Sequence, residues 1–482
     1  MDTAATTGTP ADEDHGALDA VFAHIDAHAD AFVAELMAYA SHPSISAQGI
    51  GIDAAAGRLA RKFLAMGLAT EVLPTAGNPV VLARWNQRPG APTVLLYGHY
   101  DVQPPEPLEA WTTPPFEPTL RDGRIFARGI GDNKGQHFAQ MLAIASHLQV
   151  HGTLPCNVLF MLDGEEEVGS PSLPGFVQAH RERLRADLVV IADGSLHPSG
   201  TPIVQMGVRG LLNFELHARG AARDVHSGNF GGVVPNPAWT LVHLLATMKD
   251  ASGHITIAGL YDSVDAPTPQ ELAAVAALPM DVPQLCAQLG LSQLDGPRDR
   301  GYFERLMFHP TLTINGLHSG YAGPGMKTII PSAAFVKCDM RLVASQTCDQ
   351  VFDRVVQHVA RHAPDVEVVR LNSMEPSKTP LASPFTAKVQ RAIERARGRR
   401  PLLYPMVGAS LPNHVFTQTL GLPAFLVPYA NADQANHAPN ENLRIDCFLN
   451  GIKTGAALLA GLAEATPTVH TSRAVPCAER QR

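Results

Sequence analysis

The stretch Thr93-Val-Leu-Leu-Tyr-Gly-His-Tyr-Asp101 constrains the fold of this chain more than any other. Residues 94–97 are an uninterrupted apolar, β-prone run, the pattern of a strand buried on both faces. Such a strand belongs inside a helix-covered sheet. Gly98 ends the run, and His99 and Asp101 follow at a spacing of two, which puts both side chains on one side of extended chain. Asp101 can then hold one imidazole nitrogen of His99 while the other faces a metal ion, and metal-bound histidines nearly always have such a partner. The bland reading is a strand that ends in a hydrogen-bonded histidine and a solvated aspartate. The rest of the chain decides between them.

Three more apolar runs have the same character. Residues 157–162 run directly into Asp163-Gly-Glu-Glu-Glu-Val-Gly-Ser170, residues 188–192 end at Asp193-Gly194, and residues 424–427 feed Asp433-Gln-Ala-Asn-His437. Between the first two strands, Gly129-Ile-Gly-Asp132-Asn-Lys-Gly-Gln136 makes a sharp turn into a helix over about 134–150. Asp132 sits near that helix's start, where a carboxylate is favoured as a cap and by the helix dipole. Helical periodicity also marks residues 17–39 and 51–68, with a pair of short strands over 69–85. His24 and His28 lie four apart on the first helix, but no third ligand is near, so they read as solvated helix face. The proline-rich segment 104–118, with Trp111, reads as a stiff surface loop and a pocket rim. Helices alternating with buried strands define an α/β fold, a helix-flanked and mostly parallel sheet that binds its ligand at the carboxyl edge.

At 482 residues the chain exceeds one ordinary core, and its texture changes after about Met206. Residues 211–218 alternate weakly, as in an exposed strand. A helix over 238–248, an irregular polar stretch over 249–308, strands at 311–314 and 333–343 and a helix over 349–361 follow. This is an inserted α+β domain. From about Ser383 the first texture returns and closes with a helix over 449–463. The boundaries expected are a disordered tail over 1–16, a catalytic domain in two parts over 17–206 and 383–466, an insert over 207–382, and a second disordered tail over 467–482.

A net charge of −8 with no basic block argues against a nucleic-acid partner. No apolar run reaches the roughly 18 residues a membrane span needs, and the polar, acidic start is not a secretion signal. The six scattered cysteines read as reduced thiols of a cytoplasmic protein, none placed as a nucleophile.

His99, Asp132, Glu166, Glu167, Asp193 and His437 all fall in turns at strand or helix ends of the sheet domain. Two imidazoles and three or four carboxylates suit divalent zinc, manganese or cobalt. Five ligands are too many for one tetrahedral zinc but natural for two metals sharing a bridging carboxylate. One glutamate must stay off the metals as the base that deprotonates water.

On these motifs the chain resembles the peptidases of the M20 clan, closest to the cytosolic dipeptidases of the carnosine-dipeptidase type. The resemblance spans about 17–463. It rests on Gly98 to Pro104, on Arg128-Gly129 through Gly135, on Gly164 through Ser170, on Asp193-Gly194, on Asp224-Val-His226-Ser-Gly228, on Met340-Arg341-Leu-Val343 and on His437. It implies that Asp132 bridges two metal ions, zinc first among the candidates. His99 and Asp193 complete one site, and Glu167 and His437 the other. Asp101 orients His99, and Glu166 is the general base that becomes the general acid. It also implies a cis peptide between Asp132 and Asn133, and an insert that serves as lid and dimerisation domain of a homodimer. In that homodimer His226 reaches the partner's site and steadies the oxyanion, while Arg341 holds the substrate carboxylate bidentately. An aspartate at position 193 favours the dipeptidase branch over the acylases.

One segment departs from the family pattern. Family dipeptidases often carry charged residues before a Gly-Gly-Ser-Ile-Pro loop, whereas here Tyr404-Pro-Met-Val407 precedes Gly408-Ala-Ser410-Leu-Pro412. Ser410 is kept and is expected at the substrate's carboxylate end. The uncharged Pro405, Met406 and Val407 raise an apolar or acylated first residue. The expected function is a two-metal hydrolase of dipeptides or similar small substrates with a free carboxylate. The alternatives are an amidohydrolase of N-acyl or N-carbamoyl amino acids, and a catalytically silent metal-binding or scaffold protein on the same fold.

Overall fold

The computed structural model describes residues 10–296 and 300–463. Its frame is an eight-stranded mixed sheet. In order across the sheet the strands are Ala69–Leu73, Val80–Trp85, Asn157–Asp163, Thr93–His99, Leu188–Ile191, Ala424–Leu426, Ile203–Gln205 and Leu402–Tyr404. The four central strands pair in parallel, and they are the four apolar runs of the sequence. All seven residues of Asn157–Asp163 are buried, because helices cover both faces of the sheet. One face carries Gly135–His151, Thr386–Arg397 and Ile445–Ala463, and the other carries Leu173–Ala179 and the turn Val415–Thr419. By length and composition Ile445–Ala463 is long and apolar enough to cross a membrane, although Asp446, Asn450 and Lys453 interrupt its apolar residues. Here its apolar residues pack into the core against Gly135–His151 and Thr386–Arg397.

The chain leaves this sheet after Ile203–Gln205 and builds a four-stranded antiparallel sheet with its own core. The order there is Thr311–Ser319, Ala333–Leu342, Gly210–Arg219, Glu367–Met374. Gly210–Arg219 alternates buried and half-buried residues along almost its whole length, the mark of a sheet covered on one face. The covering helices are Pro237–Met248 and Cys348–His362.

Three sequence expectations need correction. The helix expected over 17–39 is two helices, Pro10–Ala27 and Ala29–Ala40, broken at His28, whose Nδ1 lies 2.8 Å from the His24 carbonyl oxygen. The first of these begins inside the segment expected as a tail, while residues 1–9 of that tail and the whole of the second expected tail, 467–482, lie outside the described residues. The edge strand Glu367–Met374 was not anticipated. None of its residues is fully buried, and it gains ladder hydrogen bonds more than burial, so it lacks a strong apolar signature.

The helices on the large sheet are joined by a buried histidine. His147 is 3% exposed and its Nε2 lies 3.0 Å from the Ala456 carbonyl oxygen. Burial pulls its pKa down to about 4 from 6.5. It is therefore neutral in the folded chain, and the unfolded chain binds the proton first. Its contribution to stability is full above pH 6.5 and is lost as pH falls toward 4. In His147→Gln, denaturant unfolding at several pH values should show a decline across that window shallower by about 2–3 kcal/mol. Identical slopes would contradict this role.

Candidate metal centre

His99 ends the central strand and is fully buried. Its Nδ1 is 3.3 Å from Asp101 Oδ1 and 3.1 Å from the Asp101 carbonyl oxygen, so Nδ1 carries the proton in either contact and Nε2 points across the site. Nε2 lies 3.1 Å from Asp132 Oδ1, 3.6 Å from Asp193 Oδ2 and 3.8 Å from Glu166 Oε2. His437 faces the same cluster from the opposite side. Its Nε2 is 3.1 Å from Asp132 Oδ2 and 3.1 Å from Glu167 Oε2. The two oxygens of Asp132 thus face different imidazoles. Ligand atoms of His99, Asp132 and Glu167 all lie within 4.8 Å of one another.

The fold sets this geometry through residues that do not belong to the cluster. Asp132 has non-helical backbone angles (φ −126°, ψ 92°) in the turn before the helix Gly135–His151, and its peptide bond to Asn133 is cis, as the resemblance implied. Asn133 Nδ2 donates to the Ala192 carbonyl at 2.7 Å, and its Oδ1 accepts the His99 N–H at 3.4 Å. Gly98 leaves room for that crossing, since a Cβ there would lie 2.7 Å from His137 Cβ and 2.9 Å from Asn133 Oδ1. Glu441, 1% exposed, accepts the backbone N–H groups of Gly129, Gly131 and Asp132 at 2.8–3.0 Å and Arg128 Nη1 at 2.9 Å. Gln103 Nε2 donates to Glu167 Oε2 at 2.9 Å, and Asn436 Nδ2 to Asp132 Oδ2 at 3.3 Å. None of Glu441, Asn133, Gln103 and Asn436 carried a role in the sequence reading.

The three consecutive glutamates divide their tasks. Glu165 is buried and accepts the N–H groups of Asn78 and Ser172, tying loops together. Glu166 and Glu167 turn toward the cluster, and their own N–H groups donate to the two oxygens of Asp101. Asp101 therefore braces both the histidine and the acidic turn.

So many carboxylates in a desolvated edge strain one another's ionisation. Burial raises the Asp193 carboxyl to about 7, with Asp132 adding to it. Burial likewise lifts Glu166 well above the usual carboxylate range, helped by Asp193, Asp132 and Glu167 against the opposing pull of His99. Burial pushes Asp132 the same way, but hydrogen bonds from His437 and His99 overcome it and hold the carboxyl well below the ordinary range. His437 is raised to about 10 by its bonds to Asp132 and Glu167. Left to its own charges, the cluster recruits protons onto its imidazoles. Divalent cations supply that positive charge without protons, so the donor set fits metal ions.

The other expected residues are placed as follows. Arg341, at the end of the insert strand Ala333–Leu342, donates from Nη1 to Ser410 Oγ at 2.7 Å, with Asp339 Oδ1 3.7 Å from its Nε. The insert and the large-sheet domain thus meet at this pair. His226 is exposed, and its Nδ1 accepts the Gly228 N–H. Among the described residues it makes no ion pair with the cluster. The apolar segment before Gly408 is accounted for by packing. Met406 is 1% exposed and joins Leu278, Met307 and Phe308 in a small core, and the Val407 N–H donates to the Gly207 carbonyl. Within the proline-rich segment, Trp111 is buried, with Arg128 over its ring at 5.2 Å. The five described cysteines are buried, and burial pushes Cys156, Cys338 and Cys348 up to about 12 and Cys447 to about 11, so none of these four is poised as a thiolate nucleophile.

A helix-covered sheet with an α+β insert and a histidine–carboxylate cluster at its carboxyl edge defines a metallohydrolase class. The model of peptidase family M20/M25/M40 matches residues 95–461, and the chain belongs to this family. It is 30% identical to the Cys-Gly metallodipeptidase of Schizosaccharomyces pombe, over 93% of this chain and 99% of that one. Among solved structures it is similar to an M20 family metallo-carboxypeptidase from Sulfolobus solfataricus, with a TM-score of 0.83, 33% identity and coverage of 90% of this chain and 99% of that one. Human carnosine dipeptidase 1 matches with a TM-score of 0.77 and 27% identity, over 93% and 99% of the two chains.

Glu441 should matter to metal binding without touching metal. Glu441→Gln puts an amide where four donors converge. In competition with a chelator, metal affinity should fall about 10–100-fold, with the protein still folded by circular dichroism. Unchanged affinity would reduce Glu441 to a loop staple.

Proposed function

We propose that the chain is a two-metal dipeptidase, which cleaves the amide bond next to a free carboxylate in dipeptides and similarly small substrates. The observation that carries this reading is Asp132, whose Oδ1 and Oδ2 face His99 and His437 at 3.1 Å each. Two donor sets then share one carboxylate, His99 with Asp193 and His437 with Glu167. Each set combines an imidazole with carboxylate oxygens, donors suited to zinc, with manganese or cobalt as substitutes. Ions held there supply a water of lowered pKa and an electrophile for the scissile carbonyl.

Glu166 belongs to neither set. Its carboxyl stands beside the cluster with a raised proton affinity, which suits a group that takes a proton from the attacking water and passes it to the leaving amine. Asp101 keeps His99 Nδ1 protonated and its ring fixed. Arg341, with Ser410 beside it, grips the substrate carboxylate through its planar fork of donors. His226 is assigned to the active site of a second copy in a homodimer, where its imidazole steadies the oxyanion. The enzyme's place of work is assigned to the cytoplasm.

The relatives support the carboxylate-reading part of this assignment. By name they are dipeptidases and a metallo-carboxypeptidase, enzymes that act beside a free carboxyl terminus. The acyl-amino-acid alternative loses its motive, because Met406 faces a core rather than a substrate.

Two experiments test the proposal. With added zinc, manganese or cobalt, unblocked dipeptides should be cleaved faster than N-acetyl amino acids sharing the same carboxyl-terminal residue. Cleavage of only the acylated set would contradict it. Glu166→Gln should lower kcat by at least about a hundredfold with metal content intact, and near-wild-type turnover would remove Glu166 from the mechanism.

A further inference from the structure

Arg209 lies where the chain passes from the large sheet into the insert, between the strands Gly207–Val208 and Gly210–Arg219. It is 6% exposed. Its backbone N–H donates to the Ala409 carbonyl at 3.0 Å. Its Nε and Nη2 both donate to the Gly408 carbonyl, at 3.1 and 3.0 Å. One arginine therefore holds the two residues that precede Ser410. Gly408 allows this approach, since a Cβ there would lie 3.1 Å from Arg209 Nη2 and 3.0 Å from Leu306 Cδ1.

The charge of Arg209 is harder to explain than its bonds. Among the described residues no carboxylate forms an ion pair with it, and its Nη1 is buried without a hydrogen-bond partner. Burial, then the neighbouring Arg341, push its pKa down to about 10. A neutral donor could clip a carbonyl at less cost, because a buried unpaired charge destabilises a fold strongly. Two guanidinium groups share this corner. Asp339 faces it, 3.7 Å from Arg341 Nε. The corner retains net positive charge, and Ser410 sits within it on Arg341 Nη1. Such a corner is completed by an anion.

We propose that Arg209 is a positioning residue for the substrate carboxylate. It locks residues 408–410 against the hinge strand, so that Ser410 stays on Arg341, and it adds a second positive charge to the carboxylate subsite. The inference rests on the dipeptidase reading and extends carboxylate recognition beyond Arg341 and Ser410.

The test uses the metal-loaded enzyme and compares a dipeptide with its carboxyl-terminal amide. In Arg209→Met, KM for the dipeptide should rise about tenfold or more, with kcat much less affected and the amide's parameters nearly unchanged. Preference for acid over amide then shrinks. Arg209→Lys keeps the charge but not the forked grip and should fall between. A purely structural arginine would depress both substrates alike, and either that outcome or a full wild-type preference in Arg209→Met would overturn the proposal. Hydrogen exchange provides a readout without substrate. The peptide spanning 405–413 should exchange faster in both variants while Gly135–His151 stays protected. Unchanged exchange would overturn the lock. Failure of the wild-type enzyme on every dipeptide would instead sink the dipeptidase reading, leaving exchange to decide the role of Arg209.

Discussion

The structure depends on one carboxylate placed between two imidazoles. Asp132 offers one oxygen to His99 and the other to His437, while Asp193, Glu166 and Glu167 crowd the same desolvated edge. Like charges this close cannot all stay ionised without cations. The raised carboxyls of Asp193 and Glu166 and the raised imidazole of His437 express the same deficit of positive charge. A site so arranged is held by the fold against its own repulsion.

The holding is done by groups outside the central cluster of His99, Asp132, Glu166, Glu167, Asp193 and His437. The parallel strands end at one edge and deliver His99, Asp193 and the glutamate turn there. Asn133 ties the Asp132 turn to two strand ends, Glu441 gathers three N–H groups of the same turn, and Asp101 braces His99 together with Glu166 and Glu167. The insert adds Arg341, which meets Ser410 of the large-sheet domain. The histidine–carboxylate cluster and the Arg341 guanidinium thus come from different sheets, joined by the short stretch that contains Arg209.

Burial was legible in the sequence, and so was the local partnership of His99 with Asp101, but partnership across long separations was not. Unbroken apolar runs identified the central strands, because a strand covered on both faces must be apolar throughout. The cluster followed, since His99, Asp193 and the glutamate turn each come directly after such a run. Glu441 gave no local signal: its partners lie about three hundred residues earlier, and an acidic residue in a loop ordinarily means solvent. Arg209 was invisible for the same reason. Met406 misled in the other direction, since its apolar character serves a small core rather than a substrate. At the break at His28 the side chain joins the residue's own N–H on the His24 carbonyl, a local detail that helical periodicity does not register.

The most direct test of the shared carboxylate is a crystal structure of the metal-loaded enzyme, with anomalous scattering recorded at the metal's absorption edge. Two peaks about 3.5–4 Å apart, with one oxygen of Asp132 on each, are the predicted result. A single peak, or two peaks with Asp132 bound to only one, would contradict the account.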